Sequence, residues 1–267
     1  MEKKEFRELL KSYHNNYSEI NQDEVFALTK EAMNYIGDLD PTFRDNLVYP
    51  FINYVISQKM LNRDEIKEVL RMSLNNIAIQ NNKFDDDVFT RSFSMLVIVA
   101  IIEYHRRHRL LSLEELKDVF VKVLKSYQND FDVRGFIIKK GWAHGAAHGA
   151  DALEQFALTD EADSAMLTQI LSAVQRKISI SYYGYIHNED DRMARAIVAV
   201  LNRQKIDQNI VFEWLKHFIL KKQNSYSYII RRQNIRNFLS CLYFRLLNNE
   251  NYQKYNKEIE KIINGNN

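Results

Sequence analysis

The chain has 267 residues, a formal net charge of +2, 46% apolar residues and 27% charged residues. That apolar content excludes a disordered polymer, and the near-neutral charge gives no ground for a polyanionic partner. Seven Gly and two Pro argue against a loop-rich all-β protein and for long helices, arranged as two domains or one elongated repeat array.

Helical periodicity runs through nearly the whole chain. Lys4 to His14 and Gln22 to Ile36 read as an opening helical hairpin, stopped by Gly37 and the Asp38-to-Pro41 segment. Apolar helices then begin near Phe43, Arg91, Trp142, Arg192 and Ile235, about 45–50 residues apart, close to the period of HEAT-like helix pairs. Pro50 lies inside the first of these and predicts a kink near Asn46. After most of them a second helix follows with a recognisable start. Asn62-Arg63-Asp64-Glu65 is an N-cap with acids in the first turn, and Ser112 with Glu115 has capping-box spacing. Thr159-Asp160-Glu161 and Asp207-Gln208 are read in the same role.

The second helices carry stripes that a helix facing a partner needs: Ile66, Val69, Leu70, Leu74; Leu116, Val119, Phe120, Leu124; Leu167, Ile170, Leu171, Val174. No Ser/Gly/Pro-rich linker interrupts the pattern. The expected fold is therefore all-α, a HEAT-like array of antiparallel hairpins with about ten to twelve helices. It is read as a single domain over 1–267, with an N-terminal hairpin over 1–37 and repeated pairs over 38–267.

Met1 to Leu10 lacks the apolar run of a signal peptide, and Cys241 is alone, which suits a reducing compartment. The longest apolar run, Met95 to Ile102, falls well below the roughly 20 residues needed to span a bilayer. A cytoplasmic protein without membrane insertion is expected.

Local rules break at Gly141-Trp142-Ala143-His144-Gly145-Ala146-Ala147-His148-Gly149-Ala150-Asp151-Ala152-Leu153. A helix is expected there, yet interior glycines each cost about 1 kcal/mol relative to Ala. So little side-chain bulk requires close approach of something, a neighbouring helix or a ligand. On a helix, His144, His148, Asp151 and Gln155 share a stripe roughly 60° wide, with Trp142, Leu153 and Phe156 toward a core.

Two His at i, i+4 are able to share a Zn²⁺ or Fe²⁺ ion, so His144 and His148 are candidate metal ligands. Asp151 lies about 10 Å along the axis from His144 and is better placed to orient His148. Further ligands would come from Asp45, His187, Glu189, Asp190 or Asp191. A helix starting just after Gly141 would favour neutral His144. The competing reading is a buried polar network with no ligand.

These residues carry a resemblance. Gly141-Trp142-Ala143-His144 through His148, Ala150 and Asp151 resembles the signature of the uncharacterised bacterial family termed domain of unknown function 2785. Further matching segments are Asp40-Pro41-x-x-Arg44-Asp45, Arg91-Ser92-Phe93-Ser94, Asp132-x-Arg134-Gly135, Glu189-Asp190-x-Arg192, and Phe238-Leu239 with Leu242-Tyr243-Phe244-Arg245. They run from about Ile36 onward, with Pro50 a departure in a helix the family usually leaves unbroken. The resemblance implies an all-helical fold and brings no reaction, substrate or catalytic residue.

Setting the repeat starts in register places a polar residue at the head of each first helix: Arg44 with Asp45, Arg91, His144, Asp191 with Arg192, and Arg236. Stacked repeats would align these into a groove with His144, His148 and Asp151 mid-array, flanked by Arg91 and Arg192. The candidate ligand-binding set is His144, His148, Asp151, Trp142, Arg44, Asp45, Arg91, Arg134, Asp191 and Arg192. Such arginines would suit a carboxylate or phosphate, unless each only pairs with its own neighbours.

The basic aromatic stretch from Lys221-Lys222 to Arg236, with Tyr226 and Tyr228, is read as a solvated face, which disfavours nucleic acid as a partner. Tyr104 to Arg109 is read as an exposed basic helix end, and Tyr182 to Tyr185 as packing or a corner. The leading expectation is a binding module for a small anionic ligand or a partner segment. The alternatives are a hydrolase dependent on a divalent metal at His144 and His148, and a structural scaffold without a pocket.

Overall fold

The computed structural model describes residues 1–14, 16–79 and 83–266. In chain order these residues form α1 (Lys3–Tyr13), α2 (Val25–Asn34), α3 (Pro41–Phe43), α4 (Tyr49–Ser57), α5 (Arg63–Ile77), α6 (Asp87–His108) and α7 (Leu113–Asn129). A small antiparallel hairpin of β1 (Phe136–Ile137) and β2 (Gly141–Trp142) follows. Then come α8 (Gly145–Ala157), α9 (Ser164–Ile178), α10 (Glu189–Asn202), α11 (Gln208–Lys216), α12 (Tyr226–Leu246) and α13 (Gln253–Gly265). The fold is mostly all-α, as expected.

Several helix starts are set by side chains that answer orphaned backbone N–H groups. Asn62 and Ser112 close complete capping boxes with Glu65 and Glu115. Asp207 caps α11, accepting from Asn209 N. The expected cap at Thr159-Asp160-Glu161 is displaced: Asp163 caps α9, while the Thr159 hydroxyl donates back to Phe156 O. Thr159 to Glu161 therefore belongs to the turn leaving α8. The helix expected near Ile235 begins earlier, at Tyr226, behind Ser225, whose hydroxyl accepts from Tyr228 N.

Pro50 is absorbed rather than left as a break. Asp40 caps α3, and residues Arg44–Val48 widen into a π-helical turn in which Tyr49 N bonds Arg44 O. Pro50 then falls in the first turn of α4, where its missing N–H costs little.

Contacts divide the chain into two compact units, Met1–Ala152 and Leu153–Asn267. In the first, α5 packs on α6 and α7, and α4 packs on α2 and α6. Helix α6 is buried along most of its length, including Val88, Phe89, Val97, Ile98, Ile101 and Ile102, which explains its nearly continuous apolar run. Among the described residues it is the one helix long and apolar enough to cross a membrane, and 72% of that apolar window is buried inside the protein. Its C-terminal basic end is not uniformly exposed: His105 is buried, and its Nδ1 accepts from Leu111 N at 3.0 Å. In the second unit α10 packs on α9 and α12, and α13 on α11 and α12. The Trp214 indole donates to Leu171 O at 2.8 Å, and buried Tyr185 donates to Lys177 O at 3.0 Å.

Gly149 explains one interior glycine of α8. A Cβ there would lie 2.2 Å from Cδ2 of Tyr127 on α7, a fully buried ring. Helix propensity alone would favour Ala by about 1 kcal/mol, but the contact reverses the sign. Gly149→Ala is expected to lower stability by about 1–3 kcal/mol in urea denaturation. Gly184, with nothing within 4 Å of its virtual Cβ, should accept Ala within about 0.5 kcal/mol. Equal midpoints for the two variants would contradict the packing.

The Asp40 carboxylate is held well below its ordinary range, first by the Thr42 hydroxyl and then by Arg7. A depressed carboxylate contributes stability above its unfolded pKa of about 3.9, and loses it as pH falls toward the folded value. Asp40→Asn keeps a capping acceptor but removes the charge that meets Arg7, so it should cost about 0.5–1 kcal/mol at pH 7, and the gap to wild type should close progressively below about pH 4. A pH-independent gap would reject the ionised cap.

Candidate functional site

After α7 the chain is tied down by carboxylates. Asp130 Oδ1 accepts from Asp132 N at 3.0 Å. Fully buried Asp132 takes the Arg134 guanidinium through Nε at 2.8 Å. Arg134 also donates to Asp85 O at 2.7 Å and lies over the Phe84 ring. This clamp launches the β1–β2 hairpin, in which Phe136 pairs with Trp142 and Ile137 with Gly141. Lys139 in the turn has φ +69°, and Gly141 has φ +80°. Gly141 must remain without a side chain: a Cβ would lie 2.7 Å from Pro41 Cβ and 3.0 Å from the Arg44 guanidinium.

The helix expected from Gly141 instead begins at Gly145. Gly141–Trp142 is strand, and Ala143 N and His144 N return to Gly135 O and Arg134 O at 2.8 and 2.9 Å. His144 adopts φ +52°, and its carbonyl receives His148 N at 2.9 Å, the first bond of α8. His144 is thus the residue before the helix, not its first turn. The hairpin was signalled by Phe136-Ile137-Ile138 followed by Lys-Lys-Gly, an apolar β-branched run closed by a turn glycine.

Trp142 consequently faces outward. The side-chain alternation of a strand turns Gly141 inward and leaves Trp142 41% exposed, where a helix would have pointed it to a core. Leu153 and Phe156 are fully buried, as expected. A relay of rings then leads inward. Phe136 meets Trp142 edge-on at 5.0 Å, and Trp142 stacks on His144 at 4.5 Å and 25°. His144 meets His148 at 5.6 Å, His148 meets Phe93 at 5.7 Å, and Phe93 meets Tyr49 at 6.1 Å. His144 is half-buried, His148 is 7% exposed and Asp151 is 6% exposed.

His148 Nδ1 lies 3.2 Å from Ser92 O. A carbonyl only accepts, so Nδ1 carries a proton. The Tyr49 phenol is pushed up to about 12 by burial, reinforced by the negative charges of Asp151 and Glu103. It stays protonated at neutral pH. Tyr49, Phe93, Phe136 and Ile138 were not among the sequence candidates. Their roles arise from contacts across the chain that carry no local pattern.

The candidate arginines of the first unit are engaged in its walls. Buried Arg44 donates to Asp45 Oδ1 at 2.7 Å, Asp38 O at 2.7 Å and Lys140 O at 2.8 Å. Its guanidinium lies over Phe89 and Phe93 at 4.2 and 4.6 Å. Burial raises the pKa of Asp45 against the opposing pull of Arg44. Arg91 bonds Asp130 at 3.2 and 3.4 Å and approaches Asp85 at 3.6 Å. In the second unit, Arg245 donates to both oxygens of Asp191 at 2.8 and 2.6 Å, while Arg192 is half-buried on the next residue of α10.

The close approach demanded by the glycines is made by protein atoms: Tyr127 at Gly149, and Asp132 O, 3.2 Å from a virtual Cβ, at Gly145. Among the described residues no group of three or more His, Cys, Asp or Glu side chains is gathered to hold a metal.

The left-handed backbone of His144 gives a direct test. Gly and Asn tolerate φ near +50° and should keep the fold intact there. A β-branched residue should not, and His144→Val is expected to cost about 1–3 kcal/mol in urea denaturation. A valine variant as stable as wild type would refute the placement.

The family described as "Protein of unknown function (DUF2785)" matches residues 74–244. That range takes in the hairpin, His144, His148 and Asp151, while Asp40 to Asp45 lies before it. No curated protein and no solved structure matches the chain. With well over half of its length matched, the chain belongs to the DUF2785 family of proteins of unknown function.

Proposed function

We propose that the protein is a HEAT-like helical-repeat binding module that takes a partner protein segment on the hairpin ahead of α8. The observation that carries this reading is the exposed apolar side of that hairpin. Phe136 is 47% exposed, Ile138 81% and Trp142 41%, on a turn whose other side is anchored by Ile137 against Val88, Phe89 and Ala143. Large apolar side chains held out on a rigid support are typical of recognition surfaces, and Trp is prominent among residues that dominate binding energy. The imidazoles of His144 and His148 behind Trp142 add polar groups to the same place.

A partner segment fits this surface better than a small anion. Arg44, Arg91 and Arg134 already meet Asp45, Asp130 and Asp132, so their charge is compensated within the walls. The repeat reading is supported by the recurring second helices, which start at Arg63, Leu113, Ser164 and Gln208, each behind a capping side chain.

The test is selection of peptides from a displayed library on the purified protein, followed by calorimetry. Peptides bound by wild type should lose at least about tenfold in affinity, roughly 1.4 kcal/mol, on Trp142→Ala and on Ile138→Ser. Both variants should remain folded, Trp142→Ala melting a few degrees below wild type because it loses its contacts with Phe136 and His144. Unchanged affinity in both variants would overturn the reading. So would phosphate or carboxylate ions that move the Trp142 indole resonance while no peptide does.

A further inference from the structure

A separate cleft lies in the first unit, between the C-terminal parts of α5 and α7, with a volume of about 720 Å³. It is in the size range of small-molecule sites, about 300–1,000 Å³. Its floor is apolar, formed by Leu74, Ile77 and Ile79, while Arg71, Lys122 and Lys125 stand along its rim. Two of these cations are compensated: Arg71 pairs with Glu68, and Lys122 with Asp118 at 2.6 Å. Among the described residues Lys125 meets no carboxylate, so the rim carries an excess positive charge. Ser126 gives the cleft no free donor, since its hydroxyl is committed to Ile77 O at 2.9 Å.

We propose that this cleft binds a single-chain amphiphile with an anionic head, such as a medium-chain fatty carboxylate. The acyl chain lies on Leu74, Ile77 and Ile79, and the head faces Lys125. The apolar floor supplies the affinity, because every methylene removed from water adds to binding. The rim sets the sign of the head group, because charged groups at an open rim discriminate among ligands more than they add binding energy. The cleft shares no residue with the hairpin, so it is independent of the peptide-binding surface.

The probes are dodecanoate and dodecyltrimethylammonium, which have the same chain and opposite heads. Each is titrated calorimetrically into the full chain below its micellar concentration. Dodecanoate should bind in the micromolar range, and the ammonium at least about tenfold more weakly. Lys125→Glu should weaken dodecanoate by at least about tenfold while the melting temperature holds. Ala78→Trp, at an exposed position of the lining, should abolish binding by filling the cleft, and Trp142→Ala should leave it unchanged. Equal affinity for the two heads, no effect of Lys125→Glu, or no dodecanoate binding up to about 1 mM would overturn the proposal.

Discussion

A guanidinium taken out of water must have its donors answered, and the residue that imposes this demand is Arg44. Leaving such a charge uncompensated would cost several kcal/mol. Its answers come from three places: Asp45 beside it, the carbonyl of Asp38, and the carbonyl of Lys140, 96 positions away. The rings of Phe89 and Phe93 close over its plane. One side chain thereby joins the start of the α3 rod, the core helix α6 and the turn of the hairpin. Among the described residues the hairpin has no other strand to lean on, and a two-stranded ribbon of this length is not stable alone. Its position, and with it that of Trp142 and His144, follows from satisfying Arg44.

The glycines complete the same construction. Gly141 brings the hairpin backbone against Pro41 and the Arg44 guanidinium, and Gly149 brings α8 against the Tyr127 ring. Each is a place where two segments meet closer than a methyl group permits. What looks from the chain alone like a loosened helix is a tightly packed one. The glycines of this stretch meet protein neighbours, and Phe136, Ile138 and Trp142 remain exposed on the hairpin.

Charge compensation also fixes the chemistry that surrounds the hairpin. In isolation Arg44, Arg91 and Arg134 suggest a site for anions. Within the first unit each faces an aspartate that neutralises it and fixes its geometry. What remains outward is largely apolar and aromatic, with imidazoles behind it. The proposed binding of a partner segment rests on that chemistry.

Helix character, the N-cap at Asn62, the capping box at Ser112, and most of the buried stripes of α5, α7 and α9 are legible in the sequence. Those features arise from interactions among residues within about four positions of one another. The same nearness explains why two imidazoles at 144 and 148 were recognised as neighbours. Tertiary structure alone decided that His144 stands before its helix in a left-handed conformation, that Trp142 turns outward, and that the arginines of the first unit support walls. It also decided that the cap of α9 is Asp163 and that a π-helical turn receives Pro50. The placement of the hairpin and of its arginine support depends on what a distant segment places beside the residue: Pro41 against Gly141 and Lys140 against Arg44. A periodic pattern records which face of a helix is apolar. It holds no record of what that face, or a buried charge, will meet.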